Sequence, residues 1–172
     1  MKATKKFCLS LSLFLCLLVF FGCSKTASYT AAIHRSTLLA DLDTFNANMT
    51  RFSGEIAGIV TPDGVNTEAV ANIRTQVNEN DALFDRIETA LADIAPDDEA
   101  TKTTHAKLVS GVTAYRAANA DIDRLMDVFE ALSSGEPNPS VLETLPSLYA
   151  DLNGHVTSAA ADITAWQTAL AN

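Results

Sequence analysis

Cysteine is scarce in this chain of 172 residues, and all three copies lie within the first 23 positions. Cys8 and Cys16 sit inside an apolar run, and Cys23 ends it. Everything after Cys23 therefore lacks a thiol. This excludes disulfide bridges from that part of the chain, and it excludes the C-x-x-C-H motif that attaches a covalent haem.

Basic residues are also few. Lys and Arg number 12 against 21 Asp and Glu, which gives a net charge of −9 at pH 7. Three lysines lie within the first 22 residues, so the rest of the chain carries nine basic residues and a net charge of −12. Because such a surface repels phosphate backbones and anionic bilayers, we expect no nucleic-acid partner and no membrane contact through the domain surface itself.

Motifs that carry catalysis are missing as well. There is no G-x-S-x-G nucleophile turn and no glycine-rich phosphate loop. A di-iron bundle site needs Glu three residues before His, and no histidine of this chain is preceded in that way. We therefore expect no catalytic residue, no metal and no cofactor, and a protein that is not an enzyme.

The amino-terminal segment has the three-part layout of an export signal. Basic residues are followed by an apolar block, residues 7–21, and by Gly22 before Cys23. About 20 residues are needed to cross a bilayer core as a helix, so this block is short for a membrane span. The ending "FFGC" resembles the lipobox of bacterial lipoproteins. An ordinary signal peptide and an uncleaved anchor are the alternatives.

The resemblance implies a division of the chain and a location. Residues 1–22 would be a signal peptide that is removed, Cys23 would be lipidated, and residues 23–27 would form a short tether. Several acyl chains on one residue give lasting attachment to a membrane. Ser24 follows the cysteine where many lipoproteins retained at the inner membrane have Asp. This implies a cell-envelope protein on the outer membrane, facing the periplasm.

Glycine and proline are rare and divide the remaining chain into long pieces. Breaks fall at 62–64, at Pro96 and at 135–139. Between them, apolar residues recur three and four positions apart, which predicts helices over about 28–60, 66–95, 97–134 and 140–171 and no strands. Short connections force neighbouring helices to run antiparallel. We therefore expect residues 28–172 to form an all-α domain, an up-down-up-down four-helix bundle.

Several polar residues mark the expected helix ends. Asn66 and Asp97 suit N-caps, and "SVLE" at 140–143 fits a capping box. Gly135 suits the left-handed position after a helix. Pro146 conflicts with this reading because it removes a backbone donor inside the fourth helix. It predicts either a kink or a short helix followed by a long one.

The histidines are the candidate ligands of a bundle. His155 and Met49 lie at a similar height and could ligate a non-covalent haem, but Met in an apolar stripe is usually core filling. His34 and His105 fall near one end of the bundle, where a transition-metal site is conceivable. Without a third ligand, two structural or solvent-facing histidines are the favoured interpretation.

Five further residues fall on the apolar stripes. Asn80 and Asn119 interrupt the stripes at core spacing; the favoured interpretation is that they fix helix register or are partly exposed, and the alternative is that they line a ligand pocket. Tyr115, Tyr149 and Trp166 are predicted to be core residues.

The leading hypothesis is a lipid-anchored envelope protein that acts as a binding or structural partner of other envelope components. One alternative is an electron carrier with haem or a metal between its helices. Another is a helical domain that senses a small ligand.

Overall fold

The computed structural model describes residues 27–96, 98–134 and 139–171. Within them the chain is all-α, as predicted. The helices are α1 (Ala27–Arg35), α2 (Leu38–Glu55), α3 (Thr67–Ala92), α4 (Glu99–Ser133) and α5 (Pro139–Ala171). A 3-10 turn, Ile56–Gly58, extends α2. The predicted signal peptide and Cys23 lie outside the described residues.

A small hairpin separates α2 from α3. Strand β1 (Val60–Thr61) pairs antiparallel with β2 (Gly64–Val65). Gly64 has a φ of 120°, a value that glycine tolerates and other residues rarely adopt. The expectation of no strands is therefore wrong at these residues, because the turn chemistry at 62–64 brings the two ends of the break close enough to pair.

The starts of α3 and α4 follow the predicted cap chemistry. The side chain of Asn66 accepts hydrogen bonds from the backbone amides of Glu68 and Ala69. Asp98 accepts from the amide of Thr101, whose hydroxyl in turn accepts from the amide of Asp98. This capping box makes Asp98 the N-cap of α4; the predicted cap, Asp97, lies outside the described residues.

The first predicted helix, over 28–60, is broken into two. Ser36 donates its hydroxyl hydrogen bond to the carbonyl of Ile33 and accepts from the amide of Leu38. A serine that bonds to nearby backbone in this way competes with the helical pattern. The bonds of Ser36 therefore end α1 and start α2 almost at once.

Helix α5 differs from one of the two expectations about Pro146. The helix runs unbroken over Pro139–Ala171 with Pro146 inside it, so no separate short helix precedes a long one. Pro146 is exposed, and the carbonyl it leaves without an amide partner can bond to water instead. The helix begins at Pro139, so "SVLE" at 140–143 is not the predicted cap before it. Gly135 lies outside the described residues.

The helices pack in sequence order. Close pairs are formed by α2 with α3, α3 with α4 and α4 with α5, and β2 packs on α4. Cross-helix hydrogen bonds from Arg86 to Asp41 and from Asn48 to Asn80 show that α2 and α3 run antiparallel. The core lies along the helix axes and includes Leu38, Phe45, Ile73, Phe84, Ile87, Leu108, Ile122, Leu125, Met126 and Leu152.

Helices α4 and α5 approach each other closely at Gly111. A Cβ placed on Gly111 would lie 2.8 Å from side-chain atoms of Ile163 and 3.3 Å from the carbonyl oxygen of Ala159. Within the described ranges, no helix has the length and apolar character needed to cross a membrane.

Candidate functional site

His105 belongs to a buried aromatic contact between α1 and α4. Its Nδ1 lies 3.2 Å from the hydroxyl of Tyr29, and the two rings meet edge to face at 5.8 Å. Burial lowers the pKa of His105 and raises the pKa of Tyr29. The neutral imidazole is favoured there, which suits a hydrogen bond to a phenol.

The histidine pair His34 and His105, where the sequence makes a metal site conceivable, gains no third ligand in the described part of the chain. Among the described residues, no group of three or more His, Cys, Asp or Glu side chains is placed to hold a metal ion. His34 is exposed at the end of α1, whereas His105 faces Tyr29. A single half-buried imidazole that already contacts a phenol is a packing residue of the α1–α4 contact.

His155 bonds to a buried carboxylate. Its Nδ1 lies 2.6 Å from Oδ2 of Asp121, whose side chain is only 1% exposed. Arg124 donates to the other oxygen of the same carboxylate at 3.1 Å. The His155 ring is 43% exposed, so one edge bonds to Asp121 while the other reaches solvent. Met49 is buried in the core. The carboxylate thus fixes His155 as a link between α4 and α5.

Asn80 and Asn119 form a buried chain of amides across three helices. Asn48 of α2 donates to Asn80 at 2.8 Å, and Asn80 donates to Asn119 at 3.1 Å. Asn119 in turn donates to the carbonyl of Val77 and to Asp81. Because their donors are used on protein partners, these residues fix the heights of α2, α3 and α4 relative to one another.

The surface between α1, α2 and α3 carries a groove of about 720 Å³. Arg86 on its wall donates two hydrogen bonds to Oδ1 of Asp41, at 2.9 and 3.2 Å. The other oxygen of this largely buried carboxylate has no hydrogen-bond partner in the described part of the chain. The lining of the groove consists of Ala32, Ser36, Thr37, Asp85, Arg86, Thr89, Ala90, Asp93 and Ile94.

Arg74 joins α3 to the last third of α4. Its guanidinium contacts the carboxylates of Asp123, Asp127 and Glu130, with a separation of 3.0 Å to Glu130. The hydrogen bond to Glu130 is the main cause that raises the pKa of Arg74. Three carboxylates around one guanidinium leave a local excess of negative charge on this face.

Comparison with known proteins gives no match. No protein-family model, no curated protein and no solved structure is significantly similar to the chain. The candidate sites therefore rest on their own geometry.

Sequence reasoning missed two of these arrangements. Asp121 stands between apolar residues of α4, and only its burial together with His155 reveals the pair, because the partners are 34 positions apart. The groove depends on the break at Ser36, which no apolar spacing indicated. A charged residue inside an apolar stripe is the one signal that could have pointed to Asp121.

Proposed function

We propose that the protein is a lipid-anchored binding protein of the bacterial envelope that performs no catalysis. In this proposal, residues 1–22 are removed, Cys23 is lipidated, and α1 to α5 form an up-down-up-down four-helix bundle in which α1 and α2 together act as the first helix. Ser24 favours the outer membrane, with the domain facing the periplasm.

The observation that carries this proposal is that the buried polar side chains form hydrogen bonds between helices. Asn80, Asn119 and Asp121 are all buried, and each bonds to another helix. Groups that serve catalysis or ligand binding face a cavity, whereas these serve to align helices. Binding through the outer surface is the function that such a body supports best.

The position of α1 supports the tether. This helix begins at Ala27, four residues after Cys23, and its Tyr29 is already buried against His105. A lipid on Cys23 would therefore hold the helical body directly at the membrane surface, without a long flexible linker.

Metabolic labelling with radioactive palmitate tests the anchor. We expect label in the wild-type protein and none in Cys23→Ala, and we expect Cys23→Ala to leave the membrane fraction. Ser24→Asp is the matched variant for location, since it should move the labelled protein from outer-membrane to inner-membrane fractions. Equal membrane binding of the wild type and Cys23→Ala, with no label in either, would refute the proposal.

Small-ligand sensing is a second candidate, and the groove beside Arg86 is the observation that favours it. Thermal denaturation against a library of polar metabolites tests this function. A ligand that binds in the groove should raise the Tm of the wild type. It should not change the Tm of Thr89→Trp, because the larger side chain fills the groove from α3. Equal shifts in both proteins would place the ligand elsewhere.

A further inference from the structure

The apolar stripe of α5 is exposed at its beginning and buried farther on. Leu142 and Tyr149 lie seven positions apart on one face and keep 46% and 37% of their surface exposed. Leu145 lies between them and is half-buried. From Leu152 onward the same stripe is covered, and Ile163 is only 2% exposed. The first turns of α5 thus present an apolar face that the described residues leave uncovered.

This face lies at the end of the molecule that carries the β1–β2 hairpin. Strand β2 packs on α4, and Arg74 near the start of α3 contacts Glu130 near the end of α4. Ser110 bonds to Asp162 and Asp121 bonds to His155, so α4 and α5 run antiparallel and the first turns of α5 lie beside the last turns of α4. We call residues 56–74, 121–134 and 142–153 the far end, since α1 lies at the opposite one.

The far end is strongly acidic. It contains eight Asp and Glu residues and only two basic ones, Arg74 and Arg124. Both arginines are already ion-paired, Arg74 with three carboxylates and Arg124 with Asp121. Glu143 and Asp151, on α5 itself, are exposed. The end of the molecule that carries the apolar face therefore has six more acidic than basic residues.

We propose that the far end docks a basic amphipathic helix of a partner protein. Apolar side chains of that helix would pack on Leu142, Leu145 and Tyr149, and its Lys and Arg side chains would meet the surrounding carboxylates. The proposal rests on the binding role proposed above and gives the partner a chemical class. Anchors at i, i+3 and i+7 are the spacing by which helices recognise an apolar face.

Charge complementarity decides between the possible occupants. A second copy of this chain would bring the same carboxylates to the contact, and like charges in close contact oppose association. An anionic bilayer would be repelled for the same reason. A helix with a basic rim satisfies both the apolar face and the acidic surroundings.

A designed peptide makes the proposal measurable. The probe is a fluorescent helix of about 18 residues, or about five turns, with leucine on one face and lysine on the other. The full-length protein is kept in a neutral detergent, which serves with or without a lipid anchor; detergent alone is the blank, and binding is followed by fluorescence anisotropy. We expect Leu142→Ser/Tyr149→Ser to weaken binding about tenfold or more, the loss of more than about 1.4 kcal/mol.

Val109 provides the matched control. It is 39% exposed, much like Tyr149, but it lies on α4 near Lys107 and away from the far end. Val109→Ser should bind the peptide as the wild type does. Replacing the lysines of the peptide by glutamate should abolish binding, and raising NaCl from about 50 mM to about 500 mM should weaken it, because salt screens exposed charges.

Four outcomes would overturn the proposal. These are no binding of the lysine peptide, equal binding by the wild type and the double variant, an equal loss in Val109→Ser, and a dimer in analytical ultracentrifugation that the double variant abolishes. Circular dichroism establishes that the variants are folded. The palmitate experiment is independent, so a failed anchor with intact peptide binding would refute only the proposed function, and the reverse result only this inference.

Discussion

Substituting Gly111 by alanine should destabilise the protein, although alanine is the better helix former. The added Cβ would lie 2.8 Å from both Cγ1 and Cδ1 of Ile163 and 3.3 Å from the carbonyl oxygen of Ala159. Real side chains do not approach so closely, so either Ile163 must leave its position or α4 and α5 must move apart. Ile163 is 2% exposed and has little room to move.

The magnitude follows from two opposing effects. Overpacking of a core destabilises a protein by about 1 to 3 kcal/mol, whereas replacing glycine by alanine inside a helix stabilises it by about 1 kcal/mol. We therefore expect Gly111→Ala to lower the free energy of unfolding by about 0 to 2 kcal/mol. Gly154→Ala is the matched control, because Gly154 is exposed in α5 and a Cβ there meets no atom within 4 Å. This control should gain up to about 1 kcal/mol.

The assay is urea unfolding followed by the fluorescence of Trp166, the single tryptophan, which is 3% exposed. The two alanine variants should differ by about 1 to 3 kcal/mol, or by about 2 to 4 °C in Tm for each kcal/mol. Ile163→Val removes Cδ1, one of the two crowded atoms. Such a substitution usually lowers the free energy of unfolding by about 1 kcal/mol, and this loss should be smaller when Gly111→Ala is also present. Equal stability of Gly111→Ala and Gly154→Ala would refute the close approach of α4 and α5.

Three further predictions concern the buried polar groups. Asn119→Ala should lose about 2 to 3 kcal/mol in urea unfolding, because it leaves the Asn80 amide buried without its acceptor; a loss below about 1 kcal/mol would contradict the network. His155→Ala should lose about 1 to 3 kcal/mol by removing a partner of buried Asp121, and an unchanged midpoint at pH 7 would contradict that bond. Burial raises the pKa of Tyr115 from 10.0 to about 12. As the pH rises, the phenol of Tyr115 therefore loses its proton at a lower pH in the unfolded chain than in the folded protein, and the free energy of unfolding should fall by about 2 to 3 kcal/mol between pH 10 and 12. Tyr115→Phe should flatten this fall, and an equal fall in both proteins would refute the raised pKa of Tyr115.

The helices could be predicted because their ends depend on local chemistry. Asn66 caps α3 as its side chain requires, whatever packs around it. The break at Ser36 could not be predicted, since serine tolerates a helix interior and the bonds to Ile33 and Leu38 form only when the chain turns there. Tyr149 was predicted to be core and is 37% exposed. An apolar stripe shows which face of a helix is apolar, but not how far the neighbouring elements extend to cover it.

The candidate site was predictable only in part, for a similar reason. Asn80 and Asn119 interrupt the stripes, so spacing alone places them on the core side of their helices, whereas their pairing across α3 and α4 does not follow from it. Asp121 and His155 meet only because α4 and α5 run antiparallel at one particular height, and that height is set by Gly111 against Ile163. Contacts within one helix can be deduced from the sequence, whereas contacts between helices depend on relative heights that no single stripe encodes.

The polar links and the far end are mechanically connected, because both depend on α4. This helix supplies Asn119 to α3 and Asp121 to α5. Buried polar pairs contribute more to the choice of one register than to net stability. The apolar face around Tyr149 is carried by α5 and thus takes its position from the bond of His155 to Asp121. His155→Ala should therefore weaken binding of the lysine peptide, although His155 lies outside the far end.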